Sequence, residues 1–324
     1  MNYIKMSPLT GMVGYGGGGT GLGFAGGGPP VWQGDRGIMC GGRNQDTTLD
    51  DCDYIDITST GNAQDFGELT VARDGCATAS GAGNAITAGG SNYSGSYFNT
   101  IDWTKFSNQS DATDFGDTTV DRHWNTACQD GIYAIFVMGK TGGSMSDDMD
   151  YVNPASAGNA SDWGNQNVSS MARGGAGDGS RGVILGAAGI HESSQTHCDY
   201  FSFASPGNCS DFGDLSLARF KGGAGSNDTY ALHGGGQATG SNTNRIDYFV
   251  IDTVANGTDF GDLTSSKTHL TGRANASRCV WTGDESNNTN EIEYVAFGTS
   301  GNASEFGNQV QGLRFGHGGA SGEA

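Results

Sequence analysis

Short segments that alternate apolar and polar positions recur along the chain, separated by runs of very small residues. DYIDITS (53–59), TIDWTKF (100–106) and RIDYFVID (245–252) alternate with period two, which predicts strands packed on both faces. Ahead of such segments stand apolar runs ending in small residues: NAITAGG (84–90), GVILGAAG (182–189) and YALHGGG (230–236). Ahead of these again lie stretches almost free of large side chains, GCATASG (75–81) and GGAGDG (174–179). After the alternating segment a short phrase returns six times: NAQDFGELT, DATDFGDTT, NASDWGNQN, NCSDFGDLS, NGTDFGDLT and NASEFGNQV. Each unit therefore predicts four strands, from a small-residue strand to an aromatic-rich one.

The acidic anchors of the phrase are Asp65, Asp114, Asp162, Asp211, Asp259 and Glu305, spaced by 49, 48, 49, 48 and 46 residues. That period is too long for a leucine-rich or tetratricopeptide unit and matches one four-stranded propeller blade. Small residues suit strands crowded around an axis, and Tyr, Phe, Ile and Trp suit the wider rim. The first unit opens at its second strand, GIMCGG (37–42), and has no first strand of its own. The C-terminal RFGHGGASG (314–322) resembles ARFKGGAGS (218–226), which opens a unit in the middle of the chain. The expected fold is thus all-β, a six-bladed propeller over 34–324, closed by joining 312–322 to the blade at 37–73. Closure in this way removes two sheet edges at once.

Composition changes this picture little. Glycine numbers 58 of 324 residues, with 35% hydrophobic and 16% charged, a poor mixture for helices. The formal net charge is −19 and the sixteen basic residues are scattered, so no cationic face is expected and no nucleic acid. No window approaches a membrane span, and no secretory apolar core stands at the N-terminus, so membrane insertion is not expected. The seven cysteines have no metal-type spacing and read as buried free thiols. Residues 1–33 form a Gly-rich segment containing GYGGGG (14–19) and read as an arm that docks the ring to a partner. The GxGxxG match there lacks the flanking strand and helix that dinucleotide binding requires.

Arg73 before an inner strand, Gly89-Gly90 after the second and Ile101-Asp102-Trp103 in the third resemble the kelch repeat. Arg219, Gly234-Gly235 and Tyr248 keep the same order, although DFGDLT replaces the Trp-containing ending of that family. The run of IDY, TGNAxDFGDLTxAR and a small-residue strand also resembles repeat arrays of marine bacteriophage virion proteins, particularly of cyanophages. The resemblance implies a virion location, multi-copy assembly and docking to other virion proteins through the arm.

The repeated acidic anchors read as a turn device rather than a magnesium or calcium site, so no metal and no cofactor is expected. The basic series Arg73, Arg122, Arg173, Arg219, Lys267 and Arg314 reads as repeated salt bridges, with an anion-holding ring as the other possibility. What varies is the loop between second and third strands. Its candidate ligand-binding residues are Asp46, Asp50, Asp51, Tyr93, Tyr97, Phe98, Asp147, Asp148, His191, His197, Asn242, Asn244, Asp284 and Glu285. Rigid strands presenting variable loops on one face is a common binding arrangement. No catalytic set is legible, and the expectation is a non-enzymatic virion protein, a tail, fibre or baseplate appendage binding host glycan or protein. The alternatives are a capsid, neck or tail decoration with a purely structural role and, behind it, a propeller enzyme acting on polysaccharide.

Overall fold

A computed structural model describes residues 33–137, 139–188, 194–287, 289–312 and 314–323. The expected arm at 1–33 lies, except for Gln33, outside the described residues, as does His191.

The chain forms six antiparallel four-stranded sheets arranged as a β-propeller. Blade 2 shows the pattern: Ala77–Gly81, Asn84–Ala88, Phe98–Lys105 and Thr113–Arg122, in order from axis to rim. Blades 3 to 6 start at the inner strands Thr126–Gln129, Gly174–Gly177, Gly223–Ser226 and Thr271–Ala274. Blade 1 takes its inner strand from the chain's other end. Gly318–Gly322 pairs antiparallel with Arg36–Cys40, which pairs with Asp51–Asp56 and through it with Gln64–Glu68. The six inner strands touch in sequence around the axis, so the ring is closed as expected. In blades 3, 4 and 5 the expected second-to-third loop folds partly into a small two-stranded ribbon.

Six of the apolar clusters each fill one gap between neighbouring blades. Between blades 4 and 5, for example, Val183, Leu185 and Phe212 meet Ala231, Phe249 and Ile251. Near the axis the blades come too close for side chains. A Cβ on Gly223 would lie 2.7 Å from the backbone nitrogen of Gly272 in the next blade. The small-residue strands therefore permit the ring radius, and the aromatic rim fills the splay beyond it.

The DFG phrase lies within the outer strand rather than in the hairpin before it. Its Phe or Trp is buried and its acidic anchor exposed. Asp114, Asp162 and Asp211 each accept the N–H of the glycine two residues on. That glycine abuts the following blade: at Gly213, φ 129°, an added Cβ would sit 2.6 Å from the Ala255 carbonyl oxygen. The next residue's N–H donates to a side-chain oxygen across the gap, from Glu68 to Asp111, Asp117 to Asn159, Asn165 to Asn208, Asp214 to Asn256, Asp262 to Asn302 and Asn308 to Asn62. All six rim junctions thus carry the same staple. The recurrent GNAS-type turns contain its acceptors.

Candidate functional site

The basic series meets a second series that sequence reading missed. In every blade the third and outer strands slip register at a bulge, and the acidic residue there turns inward: Asp53, Asp102, Asp150, Asp199, Asp247 and Glu293. Each faces a basic residue from the connection leading into its own blade. Arg73 reaches Asp102 at 2.9 Å, Arg173 Asp199 at 2.7 Å, Arg219 Asp247 at 3.3 Å and Arg314 Asp53 at 2.8 Å. Arg122 pairs with Asp150 and Lys267 with Glu293 in the same way. Both members of each pair are buried. The closing Thr or Ser of the phrase adds to this clasp, as where the Thr70 N–H and hydroxyl donate to Asp102 at 3.0 and 2.7 Å. Burial depresses the pKa values of Arg122 and Arg219 and raises that of Asp53 despite Arg314. Lys267 is held up instead, because hydrogen bonds to Glu291 and Glu293 outweigh its burial. Buried pairs of this kind gain little net free energy, since desolvation offsets the attraction. Their effect is to fix how the chain turns into each blade.

Two residues beyond the basic member of the clasp, or in blade 4 one residue before it, the chain passes the mouth of the axial channel. The six equivalent positions are Gly75, Trp124, Ala172, Lys221, His269 and Gly316, and all have φ between 54° and 66°. Backbone bonds run around this ring: Gly75 N–H to Gly316, Trp124 to Gly75, Ala172 to Trp124 and Lys221 to Ala172. The channel beneath is lined by the starts of all six inner strands, 75–78, 124–127, 172–175, 221–224, 269–272 and 316–319. Its upper chamber leaves about 80 Å³ to the centre of a water-sized sphere, room for several waters.

Glycine adopts the left-handed conformation freely, whereas other L-residues take it at a cost of order 1–2 kcal/mol. Gly75 and Gly316 take the cheap option; Trp124, Ala172, Lys221 and His269 do not. The side chains of Trp124 and His269 join a file of rings across the mouth, while the Lys221 ammonium lies over Phe220 at 4.8 Å. Tyr97 stacks on His123 at 5.4 Å between centroids, His123 lies 4.9 Å from Trp124, Trp124 4.8 Å from His269, and His269 5.6 Å from Phe315. Charged groups flank the file. Arg43 lies 3.2 Å from Asp74, 3.4 Å from Glu285 and over the Phe315 ring at 4.9 Å. His269 Nδ1 is 2.8 Å from Glu285 Oε2, off the line of a well-aligned hydrogen bond. Contact with His269 holds the Glu285 carboxyl down to about 2, and burial keeps His269 below the usual imidazole range.

The expected loops do flank this mouth. Short bridges tie Ser91 to Asp74, Lys140 to His123, Ala188 to Met171, Gln237 to Phe220 and Arg43 to Phe315. Of the expected loop residues, Tyr97 and Glu285 belong to the ring file or its charged flank. Tyr93 is 60% exposed further out, and Asp46 sits in an exposed turn. Asp51 accepts from Gln311, Asn242 donates to Ser286, Asp148 accepts from Ser146, and buried Asp284 caps the Ser286 N–H. His197 lies 2.8 Å from buried Asp199, beside Arg173. Asp50, Phe98, Asp147 and Asn244 are half-buried. His123, Trp124, Lys221, His269 and Phe315 were not foreseen, although aligning the units on the basic series exposes the position where a Trp, a Lys and a His replace glycine. Among the described residues no three His, Cys, Asp or Glu side chains are grouped to hold a metal. No helix among them is long and apolar enough to cross a membrane.

No protein-family model and no curated protein sequence matches the chain. The solved structure titled "Structure of YjhT" superposes with a TM-score of 0.63 at 12% identity, covering 85% of this chain and 97% of that one. At this identity the likeness establishes the six-bladed propeller and nothing finer; neither the kelch assignment nor the bacteriophage relationship follows from it. It does overturn the expectation that the chain is not an enzyme. The ring is one shared across very different sequences, and such shared folds carry enzymes as well as binding proteins. A catalytic set illegible in sequence is therefore no ground for exclusion, the more so because the mouth residues were themselves illegible.

Proposed function

We propose that the chain is a recognition module that binds carbohydrate at the mouth of its axial channel. The observation that carries this reading is the file of ring faces across the mouth, in which Trp124 and His269 are held on left-handed backbone at positions whose equivalents include two glycines. Strain kept where glycine would remove it points to side chains wanted for their chemistry. Ring faces offer the apolar side of a sugar a flat partner, and Arg43 and Glu285, paired with each other and partly exposed, present fixed donors and acceptors to its hydroxyls, with buried Asp74 holding Arg43 from behind. The resemblance of the repeat phrase to bacteriophage virion arrays supports a finer version, in which the ring is a particle appendage that meets host-surface glycan and the N-terminal segment docks it.

The test is binding to a glycan array by the wild type, Trp124→Gly and Tyr93→Ala. Trp124→Gly releases backbone strain that partly offsets the packing lost with the half-buried ring, and the folded variant should no longer bind. Tyr93→Ala should bind as wild type. Undiminished binding by Trp124→Gly, or loss confined to Tyr93→Ala, would move the site from the mouth to the outer loops.

A further inference from the structure

Blade 1, the blade completed by the returning C-terminal strand, is set apart from the others at one rung. Cys40 in its second strand and Cys52 in its third are directly opposed across the antiparallel pair. At the same rung, just before the inward acid, blade 2 pairs Ala88 with Ile101, blade 3 Val137 with Met149 and blade 5 Gly234 with Ile246. Blade 4 has Cys198 there, but its second strand, Arg181–Leu185, contains no cysteine. All seven cysteines are buried free thiols, and only these two face each other as strand partners.

Hydrogen bonds fix the kind of rung. The Gly41 N–H donates to the Asp51 carbonyl and the Ile57 N–H to the Asp35 carbonyl, so the odd-numbered residues along the second strand stand in hydrogen-bonded pairs. Cys40 and Cys52 therefore form a non-hydrogen-bonded pair, whose Cα atoms stand about 4.5 Å apart with both side chains on one face. A disulfide spans Cα separations of about 4.4–6.8 Å. Both side chains enter the apolar gap between blades 1 and 2, in the cluster with Ile38, Leu69 and Phe106. Burial and a hydrogen bond between the two thiols push the Cys52 thiol well above its usual range. Inside the finished fold the pair is thus protonated and sealed, and the protonated thiol is not the nucleophile. The third thiol nearby, Cys76, donates to the Cys40 carbonyl at 3.4 Å.

We propose that Cys40 and Cys52 form a cross-strand disulfide when the chain folds in the presence of a small-molecule disulfide such as oxidised glutathione. The bond forms before the gap between the blades seals. One cysteine thiolate attacks the oxidant, forming a mixed disulfide and releasing one glutathione thiolate. The other cysteine then attacks the cysteine sulfur of the mixed disulfide and expels the second. Two cysteine thiols thus give up two electrons and two protons, which leave as two molecules of reduced glutathione. The bridge crosses the foot of the loop 41–51. That loop carries Arg43, whose backbone is bonded to Phe315 and whose guanidinium reaches Asp74 and Glu285 at the mouth. Oxidation therefore closes the loop into a covalent ring, while in the reduced chain hydrogen bonds alone hold its ends together.

The experiment refolds the full chain in glutathione buffers of graded redox ratio, alkylates the free thiols and maps tryptic peptides without reduction. Trypsin separates the three thiols, since Cys40 lies in 37–43, Cys52 in 44–73 and Cys76 in 74–105. Peptides 37–43 and 44–73 should appear joined, two hydrogens lighter than their sum, with Cys76 alkylated. The same titration in urea separates the contribution of the fold from nearness along the chain. The native chain should keep the bridge at glutathione ratios about tenfold or more further toward reduction than the unfolded chain does. By linkage the oxidised chain should unfold several degrees above the reduced one, a difference that Cys40→Ala and Cys52→Ala each abolish. If neither variant folds, the two wild-type titrations decide alone. Seven alkylated cysteines after oxidative refolding, a bridge to 74–105, or equal half-oxidation points in buffer and urea would each overturn the proposal. None of these readouts involves glycan, so failure here is separable from failure of the mouth as a binding site.

Discussion

Arg122 and Asp150 show what one buried pair does. Arg122 also donates to the Phe136 carbonyl, and Asp150 receives the Thr119 N–H and hydroxyl, so the pair ties the incoming connection to two strands of blade 3. Arg122→Met leaves Asp150 buried without its cation and should destabilise by about 3–5 kcal/mol. Arg122→Met with Asp150→Leu should recover most of that loss, and urea unfolding of the four members of the cycle measures it. Protonation offers a second residue-scale readout. Burial holds His233, His269 and His317 below the imidazole range. Unfolded, each takes a proton near pH 6.5. Below that pH the unfolded state binds more protons, so stability is complete above it and falls on acidification, by up to about 1.4 kcal/mol per pH unit per histidine. Glu285 acts in the same direction lower down, between its ordinary 4.5 and about 2, with a small effect because its side chain is 40% exposed. Urea midpoints between pH 7.5 and 5.5 should drop accordingly, and His317→Gln should shallow the slope; a flat wild-type profile would show these rings taking up protons in the fold as readily as in the unfolded chain. The basic half of each pair was legible because it repeats. The acidic half stood in CDY, IDW, MDY, IDY and IEY, but simple alternation does not turn it inward; the bulge does, and a bulge leaves no mark in period two.

Among elements, the outer strand behaves as a device for joining blades. The phrase DFGDLT reads in full once its neighbours are known: an exposed anchor for the local turn, a ring for the gap between blades, a glycine for close approach, an N–H for the staple and a hydroxyl for the next blade's buried acid. Its recurrence was plain in the sequence, whereas its partners, in the turn some 43 residues on, were not linked to it by any local rule. The mouth was hidden for the opposite reason. Tyr97, His123, Trp124, His269, Glu285 and Phe315 come from scattered units, and reading what the repeats share discards what they do not. The staple predicts graded losses. Asn256→Ala removes one acceptor and should cost about 1 kcal/mol. Gly213→Ala places a methyl against the Ala255 carbonyl at an unfavourable φ and should cost more, about 2–4 kcal/mol. Gly61→Ala, with nothing within 4 Å of the added methyl, serves as the control and should be neutral. Chemical denaturation of the three variants orders them, and equal losses at Gly213 and Gly61 would remove the close-approach argument.

At the scale of the whole ring, closure rests on the C-terminal segment through contacts of three kinds. Gly318–Gly322 supplies the inner strand of blade 1 in full register with Arg36–Cys40. Arg314 clasps Asp53 and donates to the carbonyls of Gly41 and Met39. Phe315 exchanges backbone bonds with Arg43 and carries its ring into the mouth file. Deleting 314–324 therefore strips blade 1 of its inner strand, orphans a buried carboxylate and opens two sheet edges together. Each inter-blade cluster needs both of its walls, so loss should not stay local: the gap between blades 6 and 1 holds Met39, Ile55, Val280 and Phe306 in one cluster. The truncated chain should associate through its open edges and lose its cooperative unfolding transition, as read by size-exclusion chromatography and calorimetry. A peptide spanning 312–324, added in excess during refolding, should restore a monomeric ring, whereas the same peptide with Arg314→Ala should restore it poorly. A truncated chain that stayed monomeric and unfolded at the wild-type temperature would mean that five complete blades hold the sixth without the returning strand, and that the clasp at Arg314 orders the ring without securing it.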